Sequence, residues 1–182
     1  KNIRYYDLTI DRLTSKHTMK ERSVQILDTK ASTNMGRAEL EAFYSTRTKK
    51  DISTGFSFNL LDVTSEKVID MLPAIDTIMP LLKSFGGMLN CELAATAQID
   101  TNMNILMPSI NGIMRIGGED LYIKNNEMFR KMARLLVFKN KKEGHIDKMT
   151  VEGVIKDNTL EVFPFVVDLD RYTLAMSGLQ NL

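Results

Sequence analysis

Few residues in this sequence have the type and spacing to do chemistry. The only thiol, Cys91, stands in Leu89-Asn90-Cys91-Glu92-Leu93, on the apolar side of an alternating stretch. There we expect a small buried hydrophobe, because a reactive thiol needs an accessible, electropositive setting. One cysteine excludes an intramolecular disulfide and any multi-cysteine zinc site. His17 and His145 lie far apart in polar runs and read as surface residues. Asp168 and Asp170 could chelate a divalent ion, but they precede Arg171-Tyr172, where a turn is expected. Matches this short arise readily by chance, so no metal is expected. There is no nucleophile elbow and no phosphate loop, and Gly112, Gly117 and Gly118 are wrongly spaced for a dinucleotide turn. The expectation is a non-enzymatic chain without a cofactor.

Charge says more. The 182 residues carry 24 Lys+Arg and 23 Asp+Glu, a net charge of +1. That balance argues against a nucleic-acid binder, which normally has a strong basic excess. It conceals an asymmetry, because Lys124, Arg130, Lys131, Arg134, Lys139, Lys141 and Lys142 face only Glu127, giving +6 between 124 and 142 and −5 elsewhere. The plain reading is a solvated helix face and loop. The functional reading is an anionic partner, a phospholipid membrane surface or an acidic protein, met by Arg130, Lys131, Arg134, Lys139, Lys141 and Lys142.

The elements that must position these residues are mostly strands. Leu89, Cys91, Leu93, Ala95, Ala97 and Ile99 alternate with Asn90, Glu92, Thr96 and Gln98, and only Ala94 blurs the pattern. Such a run is a strand with one wet face in an antiparallel sheet. Similar alternation occurs at Tyr6-Leu8-Ile10, Val24-Ile26, Leu40-Ala42-Tyr44, Phe56-Phe58-Leu60, Ile110-Met114-Ile116, Met149-Val151-Ile155 and Leu160-Val162-Val166. Turns are expected at Thr101-Asn102, Gly117-Gly118, Asp157-Asn158 and Asp170-Arg171.

Two segments follow a helical period instead. Val68, Leu72, Ile75, Met79 and Leu82 predict a helix over about 64–85, capped by Thr64 or Ser65 and broken by Pro73 and Pro80. Its charges and prolines are too many for a membrane span, so we expect a soluble chain. Phe129, Met132, Leu135 and Leu136 predict a second helix over 126–138. No short repeat, low-complexity stretch or linker is evident. The fold class expected is α+β: one domain over 1–182, a long, curled, mostly antiparallel sheet with these two short helical segments. Twelve Met and no Trp suit either a face that meets variable acyl chains or a core with irregular gaps.

From about Phe56 to Leu182 the sequence resembles the C-terminal region of AsmA-like proteins, to which the TamB proteins are more distantly similar. The likeness rests on Leu61-Asp62-Val63-Thr64 leading into a proline-broken apolar helix, and on Ile110-Asn111-Gly112-Ile113-Met114-Arg115-Ile116 followed by Gly118-Glu119-Asp120-Leu121. It rests also on the segment Ile146 to Asn158 after the basic helix, and on the ending Asp170-Arg171-Tyr172 with Gly178-Leu179-Gln180-Asn181-Leu182. Residues 1–55 carry no motif of the family. The resemblance implies a β-rich trough with an apolar interior, in a periplasmic protein of Gram-negative bacteria tethered to the inner membrane by an N-terminal helix. That anchor is missing from this sequence, which opens Lys1-Asn2-Ile3 without Met and reads as a piece of something longer. The family is associated with outer-membrane biogenesis and with phospholipid movement between membranes, and it supplies no catalytic residues.

Two functions follow as expectations. In the first, the domain binds or conducts phospholipid between inner and outer membranes, with Leu89, Leu93, Ala95, Ala97, Ile99, Met114 and Ile116 on the acyl-facing side. In the second, the sheet is fully packed and the domain is a scaffold assisting outer-membrane protein assembly. The two differ in whether the apolar face is open or covered.

Overall fold

Alternation of apolar and polar residues puts every second side chain on the same side of a strand, and consecutive strands of this kind pair into one sheet. In the computed structural model the described residues of that sheet form ten strands: β1 (Ile3–Tyr5), β2 (Leu8–Lys20), β3 (Ser23–Thr33), β4 (Gly36–Thr48), β5 (Asp51–Thr64), β6 (Phe85–Ile99), β7 (Asn111–Ile123), β8 (His145–Lys156), β9 (Thr159–Leu169) and β10 (Tyr172–Asn181). Every strand is antiparallel to its neighbours in sequence, and the order across the sheet is the order along the chain. The sheet is open, with β1 and β10 as its edges. The structure describes residues 3–5, 8–34, 36–48, 51–67, 85–124, 145–169 and 172–181.

Two of the hairpins whose loop residues are all described are as tight as a hairpin can be. Lys20 pairs with Ser23 across Glu21-Arg22, and Lys156 with Thr159 across Asp157-Asn158. All four loop residues have positive φ, the backbone of a type I′ turn whose twist matches that of the strands. Asp157-Asn158 was expected as a turn; Glu21-Arg22 has no such signature. Thr101-Asn102 also turns, within a loop where Asp100 accepts hydrogen bonds from the backbone amides of Asn102 (2.8 Å) and Asn104 (2.9 Å). The Asn104 amide and side chain, helped by Asn102, hold the Asp100 carboxyl below the usual carboxylate range against a small opposing effect of burial.

Three strands contain a bulge with an aspartate in the left-handed region: Asp28 on β3 (φ 48°), Asp62 on β5 (φ 58°) and Asp120 on β7 (φ 51°). Aspartate tolerates this conformation better than most residues because its short side chain bonds locally. Each meets a basic residue of a neighbouring strand: Lys16 to Asp28 at 2.8 Å, Arg37 to Asp62 at 2.6 Å and His145 to Asp120 at 3.8 Å. The bulges reset the alternation, so Leu60 and Val63 both enter the core, as do Gly118 and Leu121. They fall on alternate strands, a recurrence that the sequence does not advertise.

The core lies on one face of β5–β9. Register places Leu60, Cys91, Ile116 and Val151 in one cross-strand row, with exposures of 1%, 2%, 0% and 1%. Val63, Leu89, Leu121, Ile146 and Met149 extend it toward the end of the sheet where β5 and β7 finish. Met114 and Met149 fill this core, whereas Met19, Met88 and Met103 are exposed.

The expectation of antiparallel strands therefore holds, but the described residues are largely β rather than α+β. Residues 65–67 begin a helix, as the Thr64 or Ser65 cap predicts, and Met107–Ser109 form a single 3-10 turn. The rest of the helix expected over 64–85, up to residue 84, and all of 126–138 lie outside the described residues, as does the turn at Asp170-Arg171. One expectation fails outright: Gly117 and Gly118 lie inside β7 and not in a turn. Gly118 is needed for close approach instead, because a Cβ there would lie 2.6 Å from the Met88 carbonyl oxygen and 2.8 Å from a Leu121 methyl.

Candidate functional site

Register brings all seven residues expected to face acyl chains onto the core side of the sheet. Leu93 pairs with Met114 and Cys91 with Ile116, while Leu89, Ala95, Ala97 and Ile99 follow along β6. The face they share is not uniform. Leu89, Ile99, Met114 and Ile116 are buried, whereas Leu93, Ala95 and Ala97 are half-buried. Two rows beyond the Cys91 row, Ala42, Phe56, Ala95, Gly112 and Ile155 stand side by side, and there Phe56 is 45% exposed. The face is sealed around Leu89 and Ile116, more open across the Ala95 row, and closed again where Ile52 pairs with Ile99.

The opposite face holds a feature that single-strand periodicity does not announce. One row across it is a polar ladder running Lys30, Glu39, Asn59, Glu92, Arg115, Glu152. Lys30 pairs with Glu39 at 3.2 Å, and Arg115 with Glu152 at 2.5 Å. Glu152, and more weakly Glu92, push the Arg115 guanidinium further toward its charged form. Directly beside this ladder runs Glu41, Ser57, Ala94, Ile113, Val154, and beside that Phe43, Gly55, Thr96, Asn111. Leu27, Phe43, Gly55, Ala94, Ile113 and Val154 help to line a hollow of about 670 Å³. That volume falls within the range of roughly 300–1,000 Å³ typical of small-molecule sites. The hollow is open, and Ile113 in it is 54% exposed.

The sequence did carry one trace of this hollow. Ala94, the residue that blurs the alternation of β6, is part of its lining. The other apolar contributors come from β3, β4, β5, β7 and β8, so no single stretch displays the pattern.

At the end of the sheet where the long connections leave β5 and β7, a second cluster forms. The Ser65 hydroxyl, fully buried, donates to the Phe85 carbonyl at 2.5 Å and accepts from Lys124 Nζ at 3.1 Å. Lys124 also pairs with Glu66. Burial pushes the Glu66 carboxyl up, but Lys124, the backbone and Ser65 together outweigh it and hold it below the usual range. This cluster ties the starts of two connections together and binds its own charges.

Other expected site residues fare as follows. Arg130, Lys131, Arg134, Lys139, Lys141 and Lys142 lie outside the described residues. Cys91 is buried, and burial pushes its thiol up to about 12. His17 and His145 are at the surface. Asp168 accepts a hydrogen bond from the Thr173 hydroxyl at 2.7 Å, and Asp170 lies outside the described residues. Among the described residues no group of three or more His, Cys, Asp or Glu is placed to hold a metal ion. No helix among them is long and apolar enough to cross a membrane.

No protein-family model, curated protein or solved structure matches the chain.

Proposed function

We propose that this chain is a lipid-handling domain of an AsmA-like periplasmic protein, tethered to the inner membrane in its full-length form and acting without catalysis in outer-membrane biogenesis. The sheet, in this reading, curls into a trough that binds or conducts phospholipid between the two membranes. The observation that carries the proposal is the hollow of about 670 Å³ with apolar lining, set directly beside a charged cross-strand ladder. An amphipathic molecule would meet apolar contacts at Ala94, Ile113 and Val154, and polar partners one row away. The half-buried stretch Leu93, Ala95, Ala97 offers a second apolar strip on the other side of the sheet. The open sheet and the residues of the AsmA-like resemblance support the reading. The basic residues between Arg130 and Lys142 would hold the domain at an anionic membrane surface.

The scaffold reading has one observation in its favour. Leu89, Cys91 and Ile116 are sealed to 1%, 2% and 0% exposure, so that part of the apolar face is a packed core. A photo-crosslinking residue placed at Ile113, and separately at Ala95 and Ala97, in the full-length protein in cells separates the two. Phospholipid adducts at Ile113 or along Ala95–Ala97 support lipid handling. Protein adducts alone at all three positions would replace it with the scaffold.

A further inference from the structure

Packing explains one glycine of the Gly117-Gly118 pair and not the other. A Cβ on Gly118 would clash, whereas one on Gly117 would meet only the Met149 carbonyl oxygen at 3.4 Å and Thr150 Oγ1 at 3.6 Å, ordinary contacts. Glycine inside a strand weakens it and often marks a place where another molecule comes close to the backbone. Gly117 stands in the row Asn90, Gly117, Thr150, on the same face as the charged ladder and on the far side of it from the apolar hollow. This row lines a second hollow, of about 590 Å³. Three carboxylates border it, those of Asp62, Glu92 and Glu119, against the two cations Arg115 and Lys148. Asp62 is held by Arg37 at 2.6 Å, Arg115 by Glu152 at 2.5 Å and Lys148 by Glu119 at 3.7 Å. Glu92 is left over: it is exposed and has no hydrogen bond or ion pair among the described residues. Asn59, its register partner on β5, has a buried side-chain oxygen that also lacks a donor.

We propose that the two hollows form one site for a phospholipid whose headgroup carries a primary ammonium, with that ammonium on the Glu92 carboxylate and the acyl chain along Ala94, Ile113 and Val154. The proposal deepens the lipid reading, on which it rests, by naming the headgroup. Charge selects it first. A hollow with one carboxylate unpaired favours a headgroup bearing a cation and repels one that is only anionic. Hydrogen bonding selects it further, because a primary ammonium brings three N–H donors to an unpaired acceptor and a quaternary one brings none. Glu92 stands directly opposite Arg115, which has turned to Glu152, so a zwitterion finds the carboxylate for its ammonium beside the guanidinium for its phosphate. Ala94 lies two residues beyond Glu92 on β6, roughly 7 Å along the strand, and so puts the apolar lining within reach of the same molecule. The bare backbone at Gly117 leaves the headgroup its room.

Calorimetric titration tests this with three lysophospholipids that share one acyl chain and carry an ethanolamine, choline or glycerol headgroup, each below its micelle-forming concentration. The ethanolamine lipid is expected to bind tightest and the glycerol lipid about tenfold or more weaker, the scale of one charge-assisted hydrogen bond. Glu92→Gln, at an exposed position, is expected to level the three affinities with the circular dichroism spectrum retained. Gly117→Val places a side chain in the second hollow and is expected to weaken the ethanolamine lipid most. Choline bound as tightly as ethanolamine, equal binding of all three lipids, or a preference that survives Glu92→Gln would overturn the headgroup assignment and leave the lipid reading standing. Binding of none of the three would overturn both.

Discussion

The ring of Phe43 lies across Gly55 on the neighbouring strand, so close that a Cβ on Gly55 would sit 2.5 Å from Phe43 Cε1. The aromatic ring covers the backbone that glycine leaves bare, and the pair forms one wall of the hollow. Tyr122 and Gly86 repeat the arrangement between β6 and β7.

Gly55→Ala therefore forces the ring to move or the strands to part. We expect a loss of about 1–3 kcal/mol in urea unfolding, the usual cost of overpacking. Phe43→Ala combined with Gly55→Ala should cost less than the sum of the two single changes, because the clash goes with the ring. Additive losses would mean that the two residues do not touch.

At the β5 bulge, Asp62 holds φ at 58°, pairs with Arg37, and donates its backbone N–H to the Asn90 side-chain oxygen 3.0 Å away. Replacement by alanine keeps a Cβ in the left-handed region and removes the ion pair, while glycine removes the ion pair alone. Asp62→Ala should be less stable than Asp62→Gly by about 1 kcal/mol, measured by thermal unfolding. Equal stabilities would remove the backbone from the explanation and leave only the ion pair.

The Glu21-Arg22 hairpin runs a type I′ turn on residues poorly suited to positive φ. Glu21→Asn with Arg22→Gly supplies the preferred pair, and the backbone oxygen of residue 22 still accepts from the Thr46 amide. Stability should rise by up to about 1 kcal/mol per substitution, since the strain of positive φ at these two positions falls. A loss of stability in the double variant would contradict this.

Cys91 should resist thiol reagents in the folded chain, because only the thiolate attacks and burial pushes its pKa to about 12. Labelling rates should rise with denaturant in step with unfolding. Prompt labelling in buffer would show that the Leu60–Cys91–Ile116 row opens readily.

The Glu66 carboxyl, depressed below its ordinary value of 4.5, makes the Ser65–Lys124 cluster acid-sensitive. A depressed carboxyl contributes stability that is fully present above the unfolded pKa and lost as pH falls through the folded one. The stability of the chain should therefore decline below about pH 4.5, and Lys124→Met should flatten that decline. Glu66 is largely exposed, so the effect is small, and an unchanged acid slope in Lys124→Met would assign the loss to other carboxylates.

Much of the sheet was legible because alternation is a local signal. The run Leu89 to Ile99 names its own inward face, and Asp157-Asn158 names its own turn. What was not legible depends on partners. Gly117-Gly118 looks like a turn until β6 and Leu121 press against it, and the Asp28, Asp62 and Asp120 bulges shift the phase of alternation without any change in composition. The hollow needs Leu27, Phe43, Ala94, Ile113 and Val154 from five strands, each an apolar residue flanked by polar ones along its own face of the strand. Pairing created the site, and only pairing could reveal it.

The chain-order pairing of the strands has a consequence for how such a molecule can change. Where each strand touches only its predecessor and successor, a hairpin can be inserted or deleted without re-threading the others, much as a repeat is added to a solenoid. Length across the strands is then an independent variable, set by counting hairpins, while the bulged aspartates on alternate strands decide how each added pair is turned relative to the last.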